Sequence, residues 1–139
     1  MVGQSALIAA IVVAWFVPPR WPDALRVPGF VLGVAGAGLA VWSVLALRRF
    51  TPLPEPRAGA TLVTRGPYRL ARHPMYGGLL LFFAGVSLLG SLPELLLTGA
   101  LAVLWWRKTL TEEERLRARF PDYDVYRART PRRFLPFVA

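Results

Sequence analysis

The sequence has no cysteine and a single histidine, His73. Disulfides, thiol nucleophiles and thiolate metal sites are therefore excluded, and one lone imidazole makes a poor metal centre. Acidic residues are scarce as well, eight against 17 Lys and Arg, for a formal net charge of +9 at pH 7. Whole stretches carry no charge: residues 1–17, 27–47, 74–93 and 95–106. The first of these lacks the basic flank of a signal peptide, and no small-residue cleavage site follows it, so it reads as a retained helix.

What fills the uncharged runs is apolar. Hydrophobic residues make up 55% of the chain, above the roughly 45 to 50% of soluble domains. A bilayer core of ~30 Å asks for about 20 apolar residues per helix. The runs therefore predict a single-domain, all-α integral membrane protein. Its four transmembrane helices are expected over about 2–17, 28–47, 74–91 and 94–108, with a cytoplasmic helix over about 111–120. A soluble helical core would also be apolar all round, but 139 residues with four such runs leave too little polar sequence to cover them.

The positive charge is distributed by loop. Arg20 and Arg26 lie between the first two runs, six arginines lie between the second and third, none between the third and fourth, and nine Lys and Arg follow Trp106. By the positive-inside rule both termini and the 48–73 loop are expected in the cytoplasm. This pattern suits an anionic lipid surface and not nucleic acid.

In the second run Gly29, Gly33, Gly36, Ala37 and Ala40 form a small-residue surface suited to close helix packing. It could serve a homodimer as well as the monomer. Pro52, Pro54 and Pro56 at alternate positions predict an extended spacer. Thr61 to Thr64 could be a short extended piece before a Gly66-Pro67 turn. Gly90-Ser91-Leu92-Pro93 predicts a tight turn, and hence an antiparallel hairpin of the third and fourth helices. Thr111 to Glu114 matches a capping box that would open the cytoplasmic helix.

Two polar clusters stand out. The first, Arg65 to Gly78, gathers Arg65, Arg69, Arg72 and His73 just before the third helix. Preceding Pro74, His73 is disfavoured in the helical region and should stand at the helix mouth. There the amides of Met75, Tyr76 and Gly77 and the helix dipole favour an anion. Gly77 and Gly78 leave room for a planar ligand. The second cluster is Glu112 and Glu113, which share a face with Leu116 and Phe120 and so call for a cationic partner. A hairpin brings the two clusters together, suiting a zwitterion held by its carboxylate on the Arg/His side and its ammonium on the glutamates.

The ordered motifs Gly66-Pro67-Tyr68-Arg69, Arg72-His73-Pro74-x-Tyr76-x-Gly78, Glu112-Glu113-x-x-Leu116-x-x-x-Phe120, Tyr123, Tyr126 and Arg133-Phe134-Leu135-Pro136 resemble the isoprenylcysteine carboxyl methyltransferase family and its phospholipid methyltransferase relatives. The resemblance spans about residues 62–138. It implies S-adenosylmethionine-dependent methyl transfer to a lipophilic or lipid acceptor at the membrane. It also implies a cofactor site lined by His73, Tyr76, Gly78, Glu112 and Glu113 and closed by Tyr126 with Arg129 or Arg133. Arg72 or Arg69 is expected to orient an anionic acceptor. Two alternatives compete: an NADPH-dependent reductase resembling the sterol reductases, and a non-enzymatic lipid-binding scaffold.

Overall fold

A computed structural model describes residues 2–14, 16, 21–50 and 62–134. Among them the chain is helical and contains no strand. The first helix, α1, covers Val2–Ala14. Residues 15 and 17–20, which include Trp15 and the Pro18-Pro19 pair, lie outside the described residues. A 3-10 turn at Asp23–Leu25, with Asp23 ion-paired to Arg26 at 2.8 Å, leads into α2, Arg26–Phe50. This helix starts earlier than expected because Pro28 sits inside its first turn, where proline needs no amide partner. It also runs on through Arg48 and Arg49, since arginine is a good helix former.

After residues 51–61, which include the three-proline spacer and lie outside the described set, residues 62–64 form no strand. Gly66, with φ of 61°, turns the chain into a 3-10 turn at Gly66–Arg69. The left-handed backbone there is one that a side chain would resist. Next come α3, Pro74–Leu89, and α4, Leu92–Arg119, joined by two residues as the turn signal required. The short α5 covers Tyr123–Arg129.

Helix α4 overturns the expected break at Thr111. No proline or glycine occurs between Gly99 and Pro121, so a single helix of 28 residues runs through the junction. Thr111 is interior, and the capping-box pattern belongs instead to Ser91 and Glu94, whose carboxylate accepts from the Ser91 amide at 3.0 Å. Consequently Glu112 and Glu113 sit on a rigid extension of the apolar helix.

Small polar side chains are buried alongside the apolar core residues Ile11, Leu101 and Trp105. Ser43, Ser87, Thr98 and Thr109 are buried, while Val31, Val34, Leu45, Leu96 and Val103 are exposed. Helices α2 and α3 form the most extensive contact, along a seam where backbones touch. A Cβ on Gly36 would stand 2.3 Å from the Phe82 amide nitrogen, and one on Gly85 would stand 2.3 Å from that of Gly33. The glycine surface of α2 is thus spent within the monomer. On the other side of α3, Tyr76 packs with Leu101 and Trp105 of α4 and Ile11 of α1. Among the described residues one helix, over Asp23–Leu47, is long and apolar enough to cross a membrane, and two shorter apolar helices cover Gly3–Ala14 and Pro74–Leu89. At ~1.5 Å per residue, the 16 residues of α3 reach only about 24 Å.

Candidate functional site

The site begins where α3 starts. His73 has φ of −125° and ψ of 58°, outside the helical region as its place before Pro74 demands. Its carbonyl already accepts the Gly77 amide at 3.1 Å, so that N–H is not free for an anion. An extended C-terminal strap, residues 130–134, lies against this mouth. The amides of Arg72 and His73 donate to the carbonyls of Arg132 and Arg133 at 2.9 and 2.7 Å.

Arg72 is buried and bonded to protein. Its Nε donates to Glu113 Oε1 at 2.9 Å and its Nη1 donates to the Thr130 carbonyl at 2.9 Å and to that of Pro131. Arg133 adds two bonds to the same carboxylate, at 3.3 and 3.4 Å, and stacks over Trp106 with 4.5 Å to the ring centroid. His73 Nε2 approaches Glu113 Oε1 to 3.3 Å yet makes no hydrogen bond. Burial pushes the Glu113 carboxyl up, but His73, Arg72 and Arg133 more than reverse this and hold it at about 2. The cation that Glu113 required is therefore supplied from within the chain.

Glu112, one residue earlier, faces another way and remains a third exposed. Its Oε1 accepts from the Tyr76 hydroxyl at 2.8 Å and lies 3.8 Å from Lys108 Nζ. Its Oε2 lies 3.7 Å from His73 Nδ1. His73 thus stands between the two carboxylates. Lys108 lies 5.2 Å from the Tyr76 ring centroid. Gln4 of α1 accepts from Trp105 Nε1 at 3.1 Å and from Lys108 at 3.4 Å.

Sequence reasoning missed Gln4, Trp105 and Lys108. The one available signal was Gln4, a polar residue inside an uncharged run. Gly78, expected beside a ligand, faces α2: a Cβ there would meet the Ala40 amide nitrogen at 2.5 Å. Tyr126 is buried and donates to the Tyr68 carbonyl at 2.6 Å. Arg69 and Arg129 are not in the His73 cluster; they line a separate cavity together with Tyr126. Leu135 and Pro136 lie outside the described residues.

The arrangement offers carboxylate, ammonium, imidazole and phenol within one cluster at the base of α3 and α4. Among the described residues there is no group of three or more His, Cys, Asp or Glu able to hold a metal ion.

Two curated relatives align with most of this chain. It is 36% identical over 109 residues to the cobalt-zinc-cadmium resistance protein CzcN of Cupriavidus metallidurans, covering 72% of this chain and 46% of the relative. It is 31% identical over 117 residues to the nickel-cobalt-cadmium resistance protein NccN of Alcaligenes xylosoxydans xylosoxydans, covering 80% and 50%. The chain spans about half the length of these relatives. The family model for phospholipid methyltransferases matches residues 25–122, from the 3-10 turn before α2 to the turn before α5. The match runs through the glycine seam, the mouth of α3 and the glutamates of α4, and more than half of the chain lies within it, so the chain belongs to the phospholipid methyltransferase family.

Proposed function

We propose that the chain binds S-adenosylmethionine at the mouth of α3 and transfers its methyl group to a lipophilic acceptor at the cytoplasmic face of a membrane. The observation that carries this reading is the partly exposed Glu112–Lys108 pair, 3.8 Å apart and backed by Tyr76 and His73. One carboxylate and one ammonium side by side match the ammonium and carboxylate of a zwitterion. Glu112 stays a third exposed beside Lys108, so the residues present fit the charged ends of this cofactor.

When bound, the cofactor supplies an electrophilic methyl on a sulfonium for in-line displacement. Glu112 would hold the ammonium end and Lys108, its Nζ over the Tyr76 ring, the carboxylate end. Arg72 and Arg133 act as positioning residues: Arg133 donates to Glu113, and Arg72 joins Glu113 to the Thr130 and Pro131 carbonyls, so that α4 is locked to the strap. The chain's main tasks are alignment and exclusion of water. Where the acceptor is a neutral amine, His73 between Glu112 and Glu113 is the group able to take its proton.

The exposed apolar side chains of α1, α2 and α4 support a membrane-spanning bundle. The basic 62–73 and 107–133 regions support a cytoplasmic placement of this end. Calorimetry on protein in neutral detergent tests the reading. S-adenosylmethionine, or its demethylated product, is expected to bind, and Glu112→Gln and Lys108→Met each to weaken binding about tenfold, the loss of one charged contact. No binding to folded wild type overturns it.

A further inference from the structure

Helix α1 lies outside the stretch that the family model matches, yet one of its side chains reaches the site. Gln4, Ile8 and Ile11 fall at helical spacing on the face that α1 packs against α4, where Ile8 and Ile11 meet Leu101 and Trp105. Gln4 is the polar member of that face. Its side-chain oxygen accepts from two donors of α4, Trp105 Nε1 at 3.1 Å and Lys108 Nζ at 3.4 Å. Both neighbours can only donate, so the amide must turn its oxygen toward them. Trp105 is fully buried, which fixes this end of α1 through the core.

Lys108 is the partner with a choice. Its ammonium stands between a neutral acceptor and a charged one, 3.4 Å from Gln4 Oε1 and 3.8 Å from Glu112 Oε1, and the second distance is beyond hydrogen-bond reach. A lysine four residues before a glutamate is the weaker order for a helical ion pair, and Glu112 Oε1 already accepts from the Tyr76 hydroxyl at 2.8 Å. The pair therefore stays open, with the two side chains 39% and 33% exposed. A glutamate in place of Gln4 would offset the ammonium, and an apolar residue would release it to close on Glu112. Glutamine does neither.

We propose that Gln4 is a positioning residue for Lys108: its neutral oxygen draws the ammonium off Glu112 and leaves that charge open to a ligand carboxylate. The ligand is the zwitterion of the function proposed above, and the inference rests on that reading. The site then draws on three helices. Helix α4 supplies both charges, α3 supplies Tyr76, whose ring centroid lies 5.2 Å from the ammonium, and α1 sets the gap between the charges. A hydrogen bond to a neutral amide orients a cation without neutralising it, whereas a carboxylate at the same place would do both.

The test titrates the full chain in neutral detergent, by calorimetry, with S-adenosylmethionine and with its decarboxylated form, which keeps the sulfonium and the ammonium and lacks only the carboxylate. Wild type is expected to prefer the first about tenfold, the worth of one charge-assisted contact. Gln4→Glu retains both acceptor bonds and should keep the wild-type Tm, yet its preference should fall close to none. Gln4→Met, which removes the acceptor, must lower the preference too, with a lower Tm because the buried Trp105 N–H loses its partner. The preference is a ratio within one protein, so a general loss of folded material cancels. In a Lys108→Met background the preference should already be absent, and adding Gln4→Glu should change it no further. A wild-type preference in Gln4→Glu overturns the proposal and leaves the cofactor reading standing. So does a loss equal for both ligands, which would make Gln4 a partner of Trp105 alone. Absence of S-adenosylmethionine binding to wild type overturns the function proposed above and this inference with it.

Discussion

Helix α3 meets α2 and α4 by opposite chemistry. Toward α2 it presents Gly78 and Gly85, so close that backbone atoms of α2 occupy the space a Cβ would need. Toward α4 it presents Tyr76, below His73 at its mouth, and these meet Glu112, Glu113 and Trp105. The first contact is close packing without side chains; the second is charge and hydrogen bonding in a buried place. Close backbone approach gains dispersion contacts along the seam between the two helices. The glycine seam therefore anchors α3, and the side facing α4 carries the polar groups. The two contacts differ in what they tolerate: the seam rejects volume and accepts any polarity change that adds none, whereas the site rejects changes of charge.

The largest effect expected from this contrast is at the seam. Gly85→Leu must push α2 away, since its Cβ alone would lie 2.3 Å from the Gly33 amide nitrogen. We expect a loss above about 4 kcal/mol, enough to prevent recovery of folded, monodisperse protein. Gly85→Leu that elutes as a single species with wild-type Tm would show that the seam is not the anchor.

Glu113→Gln comes next. It leaves Arg72 buried without its counter-charge, a change that costs about 3 to 5 kcal/mol for a buried pair. Denaturant unfolding checks it, and a midpoint within error of wild type would remove Glu113 from the framework. The same group sets an acid limit. Its folded carboxyl titrates at about 2, below the ordinary carboxylate range. Its contribution to stability is therefore complete above about pH 4.5 and fades as pH falls toward 2. Wild type should lose Tm across that window while Glu113→Gln shows a shallower slope.

A smaller loss is expected from Tyr76→Phe, which deletes the hydroxyl bonded to Glu112 and little else. About 1 kcal/mol of stability should be lost, with cofactor binding weakened more than stability. An unchanged Kd would detach Tyr76 from the ligand. The smallest effect is a gain. Gly38 has nothing within 4 Å of its would-be Cβ, so Gly38→Ala should stabilise α2 by roughly 0.5 to 1 kcal/mol through helix propensity. Together with Gly85→Leu it separates glycine as seam from glycine as mere composition, and a destabilised Gly38→Ala would blur that distinction.

Much of the frame was readable along the chain because it depends on local patterns. The uncharged runs located the helices, Pro74 placed His73 at a helix mouth, and the spacing of Gly29, Gly33, Gly36 and Ala40 announced a packing face. The partner of that face was not readable. Small residues at helical spacing fit a neighbour in the same chain or in a second copy equally well, and only the folded bundle shows α3 occupying it. Thr111 misled because the sequence pattern of a capping box also occurs inside helices, where nothing interrupts the backbone bonds. The role of Glu113 was likewise hidden, since its partners Arg72 and Arg133 are 41 and 20 positions away.

The sequence by itself determined that this is a helical chain with apolar runs too many for its polar residues to cover, that five of its eight acids follow the fourth run and that its single histidine precedes the third. Periodicity and composition suffice for that, because they act within a few turns of one helix. Only the tertiary structure decided which glutamate is internal and which is offered outward. Neighbours in the chain, Glu112 and Glu113 point about 100° apart on a helix, so one meets two arginines and the other meets Tyr76 and Lys108. The tertiary fold also separated Arg69 and Arg129 from the His73 cluster and gathered them at a cavity of their own, because charges with no local partner go where the packing of distant segments leaves room.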